Sequence, residues 1–396
     1  MATREPPLDG RATALTPADS LTKTRQVSHD HPARTRIAGA ATATRFVVSL
    51  ALGSLVLGVA RPAAAQQECE PRDGLGTCVA SDNLWTHPGG GRFLSQATSE
   101  SLEPGAATFG FTPVFLHRPI GLRVSSADPD GTTIYAVENV LASTFLLGVG
   151  ITERLRATLA APVVLYQTGA SKADVVGSDD VLPRSAMGDV RFGLGFVVLP
   201  RAPAEEGLGL AGRFQLAAPS GQSDAFSGYG STTFAPGVVA DYRIGDLTLA
   251  LDLSARIRRA VTLATATIGP QIGASLGAGY DILEDGWLSV NLETWALFGT
   301  AGQRQLTEQP GAEPPVEESG PPHIPMEWML SVRTAALLDG RFRASLGGGT
   351  FIPTSSTFAV TTPAFRTALS LSYVFRDVED EPDDVEGKLR TRSAGR

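Results

Sequence analysis

The sequence has little charge, only two cysteines and no run of 18 or more apolar residues. The last absence excludes a protein that crosses a bilayer with helices, because such a helix needs about 20 mainly apolar residues. The net charge of −8 leaves no basic surface for nucleic acid. Charged residues make up 19% of the chain and 43 of its 396 residues are glycine, whereas about 25% and 7% are usual. This composition favours a β-rich chain.

Catalytic motifs are also missing. We find no Walker loop, G-x-S-x-G, H-E-x-x-H or paired C-x-x-C pattern. The histidines that follow residue 65 are His87, His117 and His323. A weak hypothesis places a hydrolase at the outer rim, using His117 or His323, but neither has a convincing Ser or Asp partner at a matching depth. We therefore predict no enzyme, no metal site and no cofactor.

The N-terminal part reads as an export signal. Residues 46–60 form an apolar stretch that follows Arg45 and precedes Ala63-Ala64-Ala65, which is the order of a secretory signal peptide. We expect residues 1–65 to be removed by cleavage near Ala65. Their long basic region suggests a true translation start further downstream.

The two cysteines follow directly after the expected cleavage point. In an exported chain, Cys69 and Cys78 are expected to close a small disulfide loop. We assign residues 66–105, which contain this loop, to a small periplasmic lead-in.

From about residue 106 to 376 apolar and polar residues alternate with a period of two, which sends them to opposite faces of a sheet. Residues 247–258 show this most clearly, since Leu247, Leu249, Leu251 and Leu253 share one face. We count twelve such segments. They are 107–118, 135–149, 155–167, 187–199, 207–219, 231–243, 247–260, 266–282, 287–299, 325–338, 341–352 and 363–376.

The segments are long and their connections alternate in length. Most exceed ten residues, as a tilted strand that crosses a bilayer requires. Short connections include 244–246 and 339–340, long ones include 168–186 and 300–324, and only 261–265 breaks the alternation. An even number of strands with this alternation is typical of outer-membrane barrels. We predict an all-β, antiparallel up-and-down barrel of about twelve strands at 106–376, in contact with outer-membrane lipid; a soluble β-sandwich with shorter strands is the alternative.

The last segment ends on an aromatic residue, Phe375. Such an ending resembles the terminal strand that the outer-membrane assembly machinery recognises, so we expect that machinery as a partner. Residues 377–396 are rich in acidic side chains and are expected to form a disordered tail.

If the apolar faces meet lipid, the other faces define the lumen. The candidate pore residues are Arg156, Asp189, Arg191, Arg213, Asp241, Arg243, Asp252, Arg256, Arg258, Glu293, Arg333 and Arg343, with Glu138, Glu327, Arg341 and Arg366 on the same faces. They could pair into a hydrated plug that stiffens the barrel, or line a narrow pore with a mild preference for anions. Glycines on these faces, such as Gly195, Gly209 and Gly277, leave room for a pore.

Two stretches resemble a known type of protein. Residues 188–193 (GDVRFG) and 225–236 (AFSGYGSTTFAP), the latter followed by Asp241-Tyr242-Arg243, are similar to motifs of large OmpA-family-type barrels from Gram-negative bacteria with GC-rich genomes. Transporter-like barrels linked to uptake of aromatic compounds look similar too. The resemblance implies an outer-membrane barrel, here without the peptidoglycan-binding domain that often follows.

Two functions remain open. The first is a non-enzymatic barrel that serves as envelope structure or as a narrow passive channel. The second is a dedicated transporter of a small hydrophobic or anionic solute.

Overall fold

Long β-strands account for most of the chain in the computed structural model. It describes residues 69, 76–88, 91–124, 132–171, 181–201, 205–263, 266–283, 287–300, 302–307, 316–322, 324–335, 337–353 and 361–375. The predicted signal segment, the acidic tail and His323 lie outside these residues. Within them, no helix is long and apolar enough to cross a membrane.

The strands follow the predicted segments closely. They are β1 (Ala107–Val124), β2 (Thr132–Gly150), β3 (Leu155–Thr168), β4 (Ala186–Met187), β5 (Arg191–Leu199), β6 (Gly207–Ala217), β7 (Thr233–Ile244), β8 (Leu247–Arg256), β9 (Val261–Leu263), β10 (Ala266–Ile268), β11 (Gln271–Asp281), β12 (Leu288–Gly299), β13 (Gly302–Thr307), β14 (Val316–Pro322), β15 (Met326–Thr334), β16 (Phe342–Phe351) and β17 (Phe365–Phe375). Two single turns of helix, Ser223–Ala225 and Leu337–Gly340, complete the described elements.

The main sheet closes on itself. Its strands pair antiparallel in the order β2-β1-β17-β16-β15-β12-β11-β8-β7-β6-β5-β3, and β2 pairs back with β3. The two-residue β4 continues the position of β5 beside β3. The sheet is therefore a twelve-stranded barrel without a free edge, which satisfies the backbone hydrogen bonds that lipid cannot. The predicted fold class is confirmed.

Short and long connections lie at opposite ends of the barrel. The short end carries turns such as 151–154 and 245–246, whereas the long end carries the connections between β8 and β11 and between β12 and β15. Each of these two connections contains a small hairpin, β9–β10 or β13–β14. The predicted break in the alternation at 261–265 is thus wrong. Val261–Leu263 is strand β9 of a hairpin that belongs to the long connection between β8 and β11.

The first two strands extend further than the sequence pattern predicts. We expected a loop at 119–134, but pairing continues to Val124 and begins again at Thr132. The alternation is interrupted because the register shifts between His117 and Gly121, and Arg118 adopts a positive φ of 54°. A bulge of this kind hides the period of two from a reading of the sequence.

The two faces of the wall differ in polarity as predicted. On β8, Leu249, Leu251 and Leu253 point outward and are exposed, while Thr248 and Asp252 are buried inside. Large exposed side chains of this kind occur around the wall: Phe145, Leu165, Phe192, Leu194, Phe196, Val238, Ile272, Leu276, Leu292, Leu330 and Leu346. Exposed aromatic residues cluster near the short end, at Tyr242, Tyr280, Trp287 and Phe375, and near the long end, at Tyr166 and Trp328. This arrangement matches a lipid-facing band with aromatic girdles.

Candidate functional site

Residues 76–88 and 91–100, which precede β1, lie inside the barrel. Gly76 donates a backbone hydrogen bond to Thr262 at the long end, and Gly105 donates one to Gly150 at the short end. Between these points residues 76–88 and 91–100 contact inward-facing side chains of the wall; we call them the plug. The sequence predicted a small periplasmic lead-in at 66–105; in the structure the plug residues of this range have polar groups with partners in the lumen.

A buried ion-pair cluster fastens the plug near the long end. Arg366 is fully buried, and its guanidinium contacts Glu327 of the wall and Asp82 of the plug, each at 2.8 Å. It also donates a long bond of 3.5 Å to the Asn83 side chain. Because a charge buried without a partner costs several kcal/mol, Arg366 couples the plug to the wall.

Next to this cluster along the plug, Trp85 contacts two arginines of the wall. The Arg191 and Arg256 guanidinium carbons lie 4.9 and 4.5 Å from the centre of a Trp85 ring. Arg256 also donates a 2.9 Å hydrogen bond to the Asn83 carbonyl oxygen. Flat guanidinium groups stack well on aromatic faces. These two predicted pore arginines therefore bind the plug.

Glu293 holds the middle of the plug. Its carboxylate is fully buried and accepts hydrogen bonds from the backbone N–H of Leu94 at 3.0 Å and of Ser95 at 2.7 Å. The Ser95 hydroxyl adds a third bond of 2.7 Å and lies 3.2 Å from the Ser275 hydroxyl of β11. Ionised carboxylates accept such bonds about twice as strongly as neutral groups.

Charged side chains of three strands hold the part of the plug that lies towards the short end. Arg156 donates to the carbonyl oxygens of Thr98 and Glu100, at 2.6 and 3.0 Å. Asp252 accepts from the Ala97 N–H at 3.2 Å and pairs with Arg213 at 2.7 Å.

Asp241 completes these contacts. It accepts a hydrogen bond from the hydroxyl of Ser99 and is paired with Arg201. Wall charges therefore hold plug backbone and hydroxyl groups as well as one another.

Two of the predicted lumen glycines, Gly209 and Gly277, make room for the plug. A Cβ atom at Gly277 would lie 2.8 Å from the Phe93 ring, and one at Gly209 would collide with the Ser99 hydroxyl. In this conformation plug atoms fill the space beside Gly209 and Gly277, and room for a pore at these glycines stays a prediction.

The remaining predicted residues have separate places. Asp189 precedes β5 and binds the backbone N–H groups of Gly221 and Tyr229, both at 2.8 Å. Arg258 follows β8, donates to Gln271 at 2.8 Å and stacks on the Tyr229 ring at 3.9 Å. Both residues organise the long-end connections. A disulfide joins Cys69 to Cys78, with Cα atoms 5.2 Å apart, close to where the plug meets β9.

Three more predicted residues lie at the short end. Arg243 pairs with Asp281 at 3.1 Å. Arg333 and Arg343 line cavities beside the plug.

Apolar side chains close the interior near the long end. The buried cluster contains Val114, Leu116, Ile120, Leu122, Val137, Val140, Phe226, Leu263 and Met329, together with Val79 and Leu84 of the plug. Small cavities of about 120, 60, 30 and 30 Å³ lie among the described residues of the interior.

The rim offers no arrangement for chemistry that we can identify in the described residues. His117 Nδ1 lies 2.8 Å from the side-chain oxygen of Asn139, an amide that cannot act as a base. Within the same residues, no group of three His, Cys, Asp or Glu side chains could hold a metal ion.

The sequence missed the plug residues that make the contacts. Asp82, Asn83, Trp85, Arg92 and Ser95 lie in a stretch without regular alternation, which resembles an ordinary loop. The available signal is a run of hydroxyl and amide side chains between the cysteines and the first strand, which predicts polar contacts but not their place.

Replacing Glu293 should loosen the plug. In Glu293→Gln an amide N–H₂ replaces one acceptor oxygen and faces a backbone donor, so we expect docking to weaken by about 2–3 kcal/mol. Hydrogen exchange of residues 91–99 should then accelerate. Glu153→Gln in an exposed turn is the control and should leave exchange unchanged; equal exchange in both variants would contradict the role of Glu293.

Acid should also weaken docking, through His87 of the plug. Burial lowers the pKa of His87 well below its usual 6.5, and Arg213, Arg191, Arg156 and Arg256 lower it further. The amide nitrogen of Gln215 lies 3.3 Å from Nδ1 of His87, and it donates a hydrogen bond to that atom when the imidazole is neutral. A released His87 titrates near 6.5, so its contribution to docking is complete above that pH and declines as pH falls below it.

Hydrogen exchange of residues 84–96 at pH 7.5 and 5.5 measures this loss. Because base-catalysed amide exchange is intrinsically slower at pH 5.5, the protection factors are compared. We expect lower protection at pH 5.5 in the wild type and a smaller difference in His87→Gln, which keeps a polar side chain without titrating. An identical pH difference in both proteins would assign the effect to other groups.

Comparisons with known proteins find distantly similar barrels among the solved structures. No protein-family model and no curated protein matches the chain. Among solved structures it is similar to an outer membrane channel from Pseudomonas putida F1, with 14% identity, a TM-score of 0.48 and coverage of 72% of this chain and 100% of that one. It is also similar to the KdgM porin, with 9% identity, a TM-score of 0.38 and coverage of 68% and 99%. A third is the Ralstonia pickettii toluene transporter TbuX, with 8% identity, a TM-score of 0.34 and coverage of 70% and 90%.

Proposed function

We propose that this chain is a passive channel of the bacterial outer membrane that its own plug closes at rest. The closed barrel, its apolar outer band and its alternation of short turns and long connections support insertion in that membrane, with the short end in the periplasm. Export by a signal peptide cleaved near Ala65 and assembly through the strand that ends at Phe375 belong to the same proposal.

The observation that carries the proposal is how the wall arginines are used. Arg156, Arg256 and Arg366 bind plug groups. A wall whose charges bound only each other would be a closed structural barrel. Here the plug fills the lumen and has no regular strand pairing. Its movement out of the barrel would leave a lumen lined by arginines, carboxylates and hydroxyls.

Selectivity follows from the same side chains. The predicted pore residues comprise eight arginines and four acids, so a lumen cleared of the plug would attract anions. We therefore propose small anionic solutes as the preferred cargo. Rings of Arg or Lys are the usual basis of anion selectivity in pores.

A dedicated transporter of a small hydrophobic solute is the second candidate. It is favoured by the cavity of about 60 Å³ beside β3, whose lining includes Leu84, Trp85, Val164 and Phe226. Saturable uptake of one apolar compound would favour this candidate over passive flow.

Single-channel recording in a planar bilayer tests the channel. We expect the mature chain, residues 66–396, to give small and infrequent steps, and a variant without residues 76–100 to give steps several-fold larger with a reversal potential that favours anions. Because the deletion removes partners of buried charges, Arg366→Gln provides a milder release and should raise the opening frequency. Heat-modifiable gel mobility checks that each variant is folded and inserted.

Folded and inserted barrels that conduct nothing in all three forms would overturn the channel. That result would leave the envelope-structural role. Steps of equal size with and without the plug would instead contradict closure by residues 76–100.

A further inference from the structure

Arg191, the first residue of β5, is buried but has few partners for its guanidinium group. Only 4% of its surface is exposed, and it stacks on Trp85 at 4.9 Å. Its one hydrogen bond to the described residues is long, at 3.5 Å from Nη2 to the carbonyl oxygen of Thr86. Its Nε and Nη1 atoms have no hydrogen-bond partner among those residues. Because buried guanidinium groups are normally paired and hydrogen-bonded, Arg191 has donors available for a ligand.

Arg191 lines a cavity of about 60 Å³. The cavity lies between the plug, strands β2 and β3, and the connection between β6 and β7. Its apolar lining includes Leu84, Pro162, Val164 and Phe226. A guanidinium group with available donors and several apolar side chains therefore share one small space.

The two acids that line this cavity already have donors of their own. Asp189 accepts two backbone N–H groups of the β6–β7 connection, at 2.8 Å each and one on each carboxylate oxygen. Asp82 pairs with Arg366 at 2.8 Å. In the part of the chain that the structure describes, neither acid forms an ion pair with Arg191.

The charges around the cavity favour one bound anion. We count the charged residues that line it or stack on its Trp85 and Tyr229 rings, together with their ion-pair partners. They are Arg191, Arg256, Arg258 and Arg366 against Asp82, Asp189 and Glu327, so four positive and three negative charges leave a formal sum of +1. A monovalent anion would balance this group.

From this geometry we infer that the cavity binds a short-chain monocarboxylate. A planar guanidinium group can hold a carboxylate through two hydrogen bonds, and the apolar lining would contact the alkyl group. The volume corresponds to roughly two water molecules at about 30 Å³ each, which limits the ligand to about two or three carbon atoms. The inference rests on the anion preference of the proposed function, and it gives the cavity of the second candidate a cargo with both a charge and an apolar group.

Saturation-transfer NMR on the refolded mature chain, in deuterated detergent and a chloride-free buffer, tests the site. The probes are acetate, its neutral analogue acetamide, and chloride as a competitor. We expect transfer to the methyl protons of acetate and none to those of acetamide. Displacing half of the acetate should require about tenfold more chloride than acetate, because chloride makes neither the paired hydrogen bonds nor the apolar contact. Displacement by an equal concentration of chloride would overturn the organic ligand, and no transfer to acetate would overturn the site.

Two variants and a control assign the signal to the cavity. Arg191→Gln removes the charge and should weaken acetate binding about tenfold. Ala142→Leu keeps Arg191 but fills the cavity, so it should abolish the signal by a separate route. Arg154→Gln, in an exposed turn, makes the same charge change outside the cavity and should have no effect. Equal signals in all variants would contradict the assignment.

Heat-modifiable gel mobility checks that each variant is folded. Acetate binding is read independently of conductance. A folded barrel that binds acetate but never conducts would reject the channel and keep the site, whereas one that conducts without binding acetate would reject only the site.

Discussion

Buried guanidinium groups require acceptors, and the plug supplies many of those that the barrel wall lacks. Arg156 and Arg256 use plug carbonyl oxygens, and Arg366 uses the carboxylate of Asp82. Leaving one such group buried without a partner costs free energy on the scale of a whole domain's stability. The wall and the plug therefore depend on each other, and any state without the plug must admit water in its place.

This dependence divides the interior into two regions. Near the long end apolar side chains such as Leu116, Ile120 and Phe226 pack into a dry cluster. Towards the short end the lining is charged and borders a cavity of about 120 Å³. Solutes consequently have easier access from the short end, and opening at the long end requires the apolar cluster to separate. The plug residues that bind Glu293 lie between these two regions.

Much of the barrel could be predicted from the sequence, whereas its filling could not. The alternation on β8 fixes which residues face lipid and which face the lumen, because the period of two is local. The partners of Arg191 and Glu293 are more than 100 residues away, in a stretch with no period at all. Glycines such as Gly277 look the same in a sequence whether they border water or a Phe93 ring. The bulge after His117 is the opposite case, because a local irregularity in the alternation concealed the continuation of β1 to Val124.

The central claim is that the plug, residues 76–88 and 91–100, occupies the lumen, and a disulfide between plug and wall tests it most directly. The Ser95 and Ser275 hydroxyls lie 3.2 Å apart, so the double variant Ser95→Cys with Ser275→Cys should form that bond in the folded, membrane-inserted protein. Ser95→Cys with Thr144→Cys is the control, because β2 lies six strands from β11 around the barrel. We predict a link in the first pair only. Absence of the link in a folded barrel, or equal linking in both pairs, would show that the plug does not lie where the structure places it.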